Sequence, residues 1–235
     1  MARARQERAS IAAVGSILEH LPDDYSGIIW GSGLTEGNPR RFENAHVVAL
    51  RGHLTRKFLG VGEVPLGDPG LLVSDYLDTG NGREKRPGTA TVRHFLHAEE
   101  PFSVAPRHES YSVDVTGTPD EVVGQISKAA RVLTSSLHGL VVADAFGVPA
   151  AWYRERGDSL VTSFKFQDYE SVVTPGWSRR VEFDVLEEAR VDEVFRRADL
   201  DSVRNAQADL RASLREVAAR LPHKNPVRFA MERRR

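Results

Sequence analysis

RVLTSSLHGLVVADAFGVPAAW, residues Arg131 to Trp152, decides the fold class of this chain. It reads as a buried strand, a tight turn carrying one histidine, a short helix and a second strand. Val132 and Leu133 close an apolar run, and Thr134, Ser135 and Ser136 offer side-chain caps before the helical residues Leu137 to Phe146. Gly147 stands where a helix stops in the left-handed conformation, and Pro149 bars its continuation. The first turn of a helix at the carboxyl edge of a sheet presents unpaired N–H groups and a positive dipole end, which suit phosphate or carboxylate. His138 falls in that turn. A group able to move a proton beside an anion cradle is what transfer chemistry on a phosphorylated acid needs. A cap or core histidine in an ordinary β-α-β unit would show the same local pattern.

Outward from this segment the same alternation continues. Strands are predicted at Ile11–Val14, Gly27–Trp30, His46–Leu50, Thr89–Leu96, Tyr111–Val115, Arg131–Thr134 and Ala150–Tyr153. Helices are predicted at Leu54–Leu59, Pro119–Ala130, Leu137–Phe146 and Leu200–Leu221. Short apolar strands alternating with helices are the mark of an α/β protein with a parallel sheet and crossover helices. The polar, glycine-bearing stretch Asp78–Gly88 is the expected linker, which divides the chain near residue 80. In the last helix Leu200, Val203, Leu210, Leu214, Val217 and Leu221 form one apolar stripe, expected to pack back on the body rather than form a dimer seam.

Composition narrows the function classes. The 235 residues suffice for one large or two small domains, and a net charge of −1 excludes the global basic field of a nucleic-acid binder. There is no cysteine, hence no disulfide, thiolate metal site or cysteine nucleophile. No apolar run reaches the ~20 residues of a membrane helix, and no signal-peptide stretch follows the basic start, so the cytoplasm is the expected location.

Several residue types then stand out. Arg51 follows the strand His46–Leu50 and precedes Gly52; projecting from a carboxyl edge, its planar fork would suit carboxylate or phosphate. A surface strand-end arginine would look the same. Gly31, Ser32 and Gly33 would let backbone approach a ligand closely, or make a plain tight turn. Asp68, in GDPG, reads as a structural turn residue. His94 and His97 have a spacing open to two metal ligands, but residues three apart on a strand face opposite ways, and no metal site is expected.

SSLHGLVVADAFGVPAAW (Ser135–Trp152) closely resembles the signature segment of the polysaccharide pyruvyl transferase family. AVGSIL (Ala13–Leu18) and IIWGSGL (Ile28–Leu34) resemble its two glycine-turn strands. ALRGHLTRKFLG (Ala49–Gly60) is similar to its RG-x-x-T segment through Arg51, Gly52 and Thr55, and PLGDPGLLVSDYL (Pro65–Leu77) to its GDP-x-L-L segment. FKFQDYESV (Phe164–Val172) resembles the element after the histidine, so the likeness runs in order from Ala13 to Val172.

The resemblance implies two Rossmann-like domains facing across a cleft in the glycosyltransferase-B manner: residues 1–80 on the acceptor side, and 81–235 binding the donor, with the helix 200–221 recrossing to the first. It implies transfer of pyruvate from phosphoenolpyruvate to hydroxyls of a saccharide or glycoside, giving a ketal. Phosphoenolpyruvate is then a substrate, and no cofactor or metal is required. His138 is the expected proton-transfer residue, as acid or base. Arg51, Lys165, Ser135, Ser136 and Gly139 are expected to hold the donor, and Gly31, Ser32, Gly33 and His94 to line the cleft. For FKFQDY a packed strand with Lys165 outward is the other reading. The family's opening Asn-x-Gly-Asp segment has no counterpart before Ala13. A shortened first domain is therefore expected, completed by a partner chain or a second copy, or with Asp23, Asp24 or Glu36 replacing the missing acid. The alternatives are a nucleotide-sugar glycosyltransferase, for which Glu187 and Glu188 are the late paired acids, and a non-catalytic anion- or sugar-binding protein.

Overall fold

A computed structural model describes residues 10–77, 85–94, 109–154, 163–182 and 194–221. Its strands are β1 (Ile11–Ala12), β2 (Ile28–Trp30), β3 (His46–Ala49), β4 (Arg86–Val92), β5 (Ser110–Ser112), β6 (Ala129–Thr134) and β7 (Ala150–Trp152). They form two sheets, ordered β1-β2-β3 and β5-β4-β6-β7, with every neighbouring pair parallel. Each strand lies on an apolar segment predicted as a strand. β4 starts three residues early: Arg86 stacks its guanidinium 3.5 Å from the Tyr111 ring of β5, which draws Arg86–Gly88 of the expected linker into the sheet. Residues 78–84 of that linker, and the far end of the predicted strand with His97, lie outside the described residues.

In the second sheet β4 precedes β5 in the chain, yet the next strand, β6, pairs on the other side of β4. The connections therefore run to opposite sides at β4 and β6. In open parallel sheets the crevice outside the carboxyl ends of two such strands is where ligands bind.

The helices are α1 (His53–Leu59), α2 (Val73–Tyr76), α3 (Pro119–Lys128), α4 (Leu137–Ala145), α5 (Phe164–Val173) and α6 (Leu200–Arg220), with a 3-10 turn at Pro69–Leu72 leading into α2. α3 opens with a capping box: the Thr118 hydroxyl accepts the Glu121 amide, and the Glu121 carboxylate accepts the Thr118 amide at 2.9 Å. It runs straight into β6, whose Ala129 and Ala130 were expected to end the helix. α4 ends at a left-handed Gly147 (φ 63°), whose N–H donates to Asp144 O at 3.1 Å. FKFQDYESV is a helix and not a strand, because Phe166, Asp168, Tyr169, Glu170 and Val173 must all be buried, and helical spacing turns them inward together.

Two apolar cores result. One lies around β4, β6 and β7 and includes Leu140, Val141, Trp152 and Tyr169, with Trp152 and Phe166 stacked at 4.3 Å. The other gathers Leu18, Ile29, Leu34 and Leu50 around the first sheet. The stripe of α6 joins the first core through Val203 and Ala206 and then packs on other residues of the first sheet and on Leu72, Leu210 with Ala49 and Leu72 and Val217 with Ile28 and Val48.

Candidate functional site

A cleft of about 900 Å³ opens where the carboxyl ends of the two sheets meet. From the second sheet it takes the residues leaving β4 (Val92, Arg93, His94), those leaving β6 (Ser135 to Gly139), and Val115, Gly117 and Pro119 beyond β5. From the first sheet it takes Val14 to Ile17 after β1, with His20 and Thr35, and Lys165 enters from the first turn of α5. The site therefore falls in the β4/β6 crevice that strand order alone picks out.

The floor is built by a short hydrogen-bond ladder. Val92 and Thr134 are partners in the β4–β6 register, and Ser135 N donates to Val92 O at 3.1 Å. The Ser135 hydroxyl then accepts the His94 amide at 3.0 Å, which ties the two exits together. Ser136 is the N-cap residue of α4 but makes no side-chain cap bond. Thr134 acts instead: its Oγ1 accepts the Ser136 amide at 2.9 Å and donates to Val92 O at 2.8 Å. The first-turn amides of α4 are thus not consumed by the expected serine cap, which is the state an anion-binding helix start requires. Gly139 is needed for packing: a Cβ there would lie 2.4 Å from Thr134 Oγ1.

His138 projects half-exposed from this turn. Gly15 (φ 103°) faces it, its Cβ position 3.6 Å from His138 Cε1. Of the residues expected at the site, His138, Ser135, Ser136, Gly139, His94 and Lys165 are brought together around one cleft.

Arg51 is a correction. It is fully buried and does not line the cleft. Its Nε donates to Asp168 Oδ2 at 2.9 Å, Nη2 to Leu34 O at 2.5 Å, and Nη1 to the Ser16 hydroxyl. Asp168 also accepts the Thr55 amide and hydroxyl, both at 2.7 Å. The RG-x-x-T segment is therefore a clasp that fastens α5 to the first sheet. A strand-end arginine can turn outward or inward, and here an acid 117 positions later draws it in.

Gly31, Ser32 and Gly33 are also displaced from the expected role, since none lines the cleft. What approaches these glycines is protein: a Cβ on Gly31 would meet Pro69 Cδ at 2.3 Å, and one on Gly33 the Arg51 Cζ at 2.4 Å. They brace the Gly15–Ser16 turn from behind, as Gly15 O accepts Gly33 N at 3.1 Å and the Ser32 hydroxyl at 2.8 Å. Neither do Asp23, Asp24 and Glu36 reach the cleft, and Asp23 pairs with Arg40 at 2.6 Å in solvent. Glu187 and Glu188 lie outside the described residues.

Residues overlooked in the sequence are Arg93, Ser16 and His20. Arg93 is buried at the exit of β4 and lines the cleft. Its signal was present: like Arg51 it directly follows an apolar strand, and it precedes His94. Beneath the site Arg179 is bidentate on Asp144 and its Nε donates to Glu170 Oε1 at 3.1 Å, while Tyr169 donates to Asp144 at 2.8 Å. Burial first, and then the Asp144 carboxylate, hold the Tyr169 phenol well above its ordinary pKa, so it stays a neutral donor. Among the described residues no cluster of three or more His, Cys, Asp or Glu could hold a metal ion, and no helix is long and apolar enough to cross a membrane.

The chain is similar in sequence to known proteins. The family model described as polysaccharide pyruvyl transferase matches residues 28–155, which include β2 to β7 and the whole His138 turn. An uncharacterized protein of Acanthamoeba polyphaga mimivirus is 29% identical over 171 residues, 68% of this chain and 58% of that protein. The succinoglycan biosynthesis protein ExoV of Rhizobium meliloti (strain 1021) is 26% identical over 193 residues, 77% of this chain and 59% of ExoV. The chain thus spans under three fifths of the length of these relatives. No solved structure matches it. With more than half of its residues under the family model, the His138 turn among them, the chain belongs to the polysaccharide pyruvyl transferase family.

Proposed function

We propose that this protein transfers pyruvate from phosphoenolpyruvate to two hydroxyls of a saccharide or glycoside, forming a cyclic ketal. The observation that carries the reading is the meeting of His138, Arg93 and Lys165 around the uncapped start of α4 in one cleft. The family and a relative named for succinoglycan biosynthesis support it.

The chemistry sets the demands. The donor brings phosphate and carboxylate, which cations and backbone N–H groups hold best in a partly enclosed site. A proton adds to its C3, and C2 becomes electrophilic. The first hydroxyl attacks C2 and loses its proton; the C2–O bond to phosphate breaks and phosphate departs. The second hydroxyl closes on C2, again losing a proton. His138 is the proton carrier in this scheme, at the cleft and half open to it. Arg93 and Lys165 hold the donor's charges, with the first-turn amides of α4 and the Ser135–Ser136 turn beside them. No resident cofactor enters the scheme. The two sheets then act as donor and acceptor halves of a glycosyltransferase-B-like enzyme, residues 81–235 and 1–80, working in the cytoplasm.

Calorimetric titration of phosphoenolpyruvate into the purified chain tests the donor. Saturable binding is expected, weakened about tenfold or more by Arg93→Ala and by Lys165→Ala, since each removes a charge-assisted contact. His138→Ala retains donor binding and loses phosphate release in the presence of a saccharide acceptor. A folded wild-type protein that binds no phosphoenolpyruvate overturns the assignment.

A further inference from the structure

Asp68 is fully buried, yet half of its carboxylate is unused. Oδ1 accepts the Gly70 amide at 2.9 Å and caps the 3-10 turn at Pro69–Leu72. Oδ2 is equally buried and has no hydrogen-bond partner. A turn that needs only a cap does not call for this, because an asparagine or serine would accept the same amide. Buried polar atoms are rarely left unpaired, and a dry carboxylate oxygen is among the most costly, so a specific cause is required.

The group it faces is His138, whose Nε2 lies 3.9 Å from Asp68 Oδ2. Acid and ring come from different elements, the turn before α2 and the first turn of α4, so chain proximity does not explain the approach. The cleft wall around His138 carries His20, Arg93, His94 and Lys165, and no acid among its described residues. Asp68 is the carboxylate beneath it. The Tyr169 phenol feels the charge of Asp68 and donates to Asp144, which is paired with Arg179.

We infer that Asp68 is the positioning carboxylate of His138, its buried Oδ2 accepting the imidazole Nε2–H and thereby fixing which ring nitrogen carries the exchangeable proton. Asp68 is enclosed and capped in place, whereas the ring is half-exposed, so closing the last ~1 Å falls to His138; such contacts are commonly long before substrate binds. With Nε2–H given to Asp68, Nδ1 keeps the lone pair, and the imidazolium formed on protonation has a counter-charge beside it. A cap that only shaped a turn would have no such effect on the ring.

The catalytic weight of the pair rests on the pyruvyl-transfer reading; the pair itself does not, and the experiment separates the two. ¹⁵N-histidine spectra of the whole chain, assigned to His138 by comparison with His138→Gln, are recorded against pH for wild type, Asp68→Asn and Asp68→Ser. Both variants can still accept the Gly70 amide, and thermal unfolding checks that they fold. Wild type is expected to hold the Nε2–H tautomer, and both variants to lose that preference. In phosphate-release assays Asp68→Asn is expected to lower kcat about 10²- to 10⁴-fold with KM for phosphoenolpyruvate within about threefold, and to move the His138 limb of the pH profile toward acid. An unchanged tautomer balance in both folded variants overturns the pairing. Loss of the tautomer preference in both folded variants, when wild type binds no phosphoenolpyruvate, upholds the pairing and removes the pyruvyl-transfer reading alone.

Discussion

Arg51 shows how one residue can carry a family's motif and yet lie outside the cleft. Its guanidinium is spent on Asp168, Leu34 and Ser16, and the Ser16 contact is the point at which the buried clasp touches the cleft wall. Removing one partner of such a pair leaves a dry, unpaired charge, which costs about 3–5 kcal/mol. Asp168→Ala should therefore lower the unfolding free energy in urea by about that amount, because Arg51 and Thr55 lose their shared acceptor. An effect under ~1 kcal/mol would show that Arg51 finds another partner and that the clasp is not structural. Gly52 has no latitude at all: a Cβ there would fall 1.9 Å from the Asp168 carbonyl oxygen. Sequence reasoning could see an arginine at a strand end and a threonine four positions on. It could not see Asp168, since nothing local announces which distant acid a buried cation will meet.

Among the elements, the legible ones were those whose signals are local. All seven strands fell on their apolar runs, and α4 was bounded by its glycine, because those patterns are written within a few residues. Two helices were missed or left open. The Pro69–Tyr76 segment is only two short turns, too brief for a periodic pattern, and in α5 the aromatic residues mimic strand alternation. The serine caps of α4 were misread for a related reason: Thr134, still in β6, reaches forward and satisfies the turn first. Two glycines of this unit should answer differently to alanine. Gly147 sits at φ 63°, and its Cβ position is 4.0 Å from Leu200 Cδ2, so Gly147→Ala should cost only the left-handed backbone penalty, about 1–2 kcal/mol in thermal unfolding. Gly139→Ala drives a methyl against Thr134 Oγ1 at 2.4 Å, with Val92 behind it. It should cost about 1–3 kcal/mol and, by shifting the start of α4, also abolish phosphoenolpyruvate binding seen by calorimetry. Equal binding by both variants would separate the helix start from the donor site.

For the whole molecule the decisive element is α6, which packs on the first sheet and joins the apolar core of the second. Near its start Asp199 N donates to Val173 O of α5 at 2.9 Å; further on Gln207 donates to Leu71 O at 2.8 Å, and Ser213 accepts the Trp30 indole N–H of β2 at 2.9 Å. Its apolar stripe was plain in the sequence, but a stripe states that something covers it and never what. Arg211 adds a bidentate grip on Asp75 of α2, both contacts 2.7 Å. The hydrogen bond from Arg211 holds the Asp75 carboxyl below its ordinary pKa and raises that of Arg211 in turn. A carboxylate whose folded pKa is depressed contributes stability that is full above its unfolded value and lost as pH falls through the folded one. The contribution should therefore be present at neutral pH and fade from about pH 4 downward. Both side chains are partly exposed, so it is small and screened by salt. The difference in Tm between wild type and Asp75→Asn should be largest near pH 7, shrink in 1 M salt, and close as the solution is taken toward pH 3. A Tm difference that persists undiminished at low pH would assign the grip to packing of the arginine stem against α2, and the charge would then have no part in holding α6 across the two sheets.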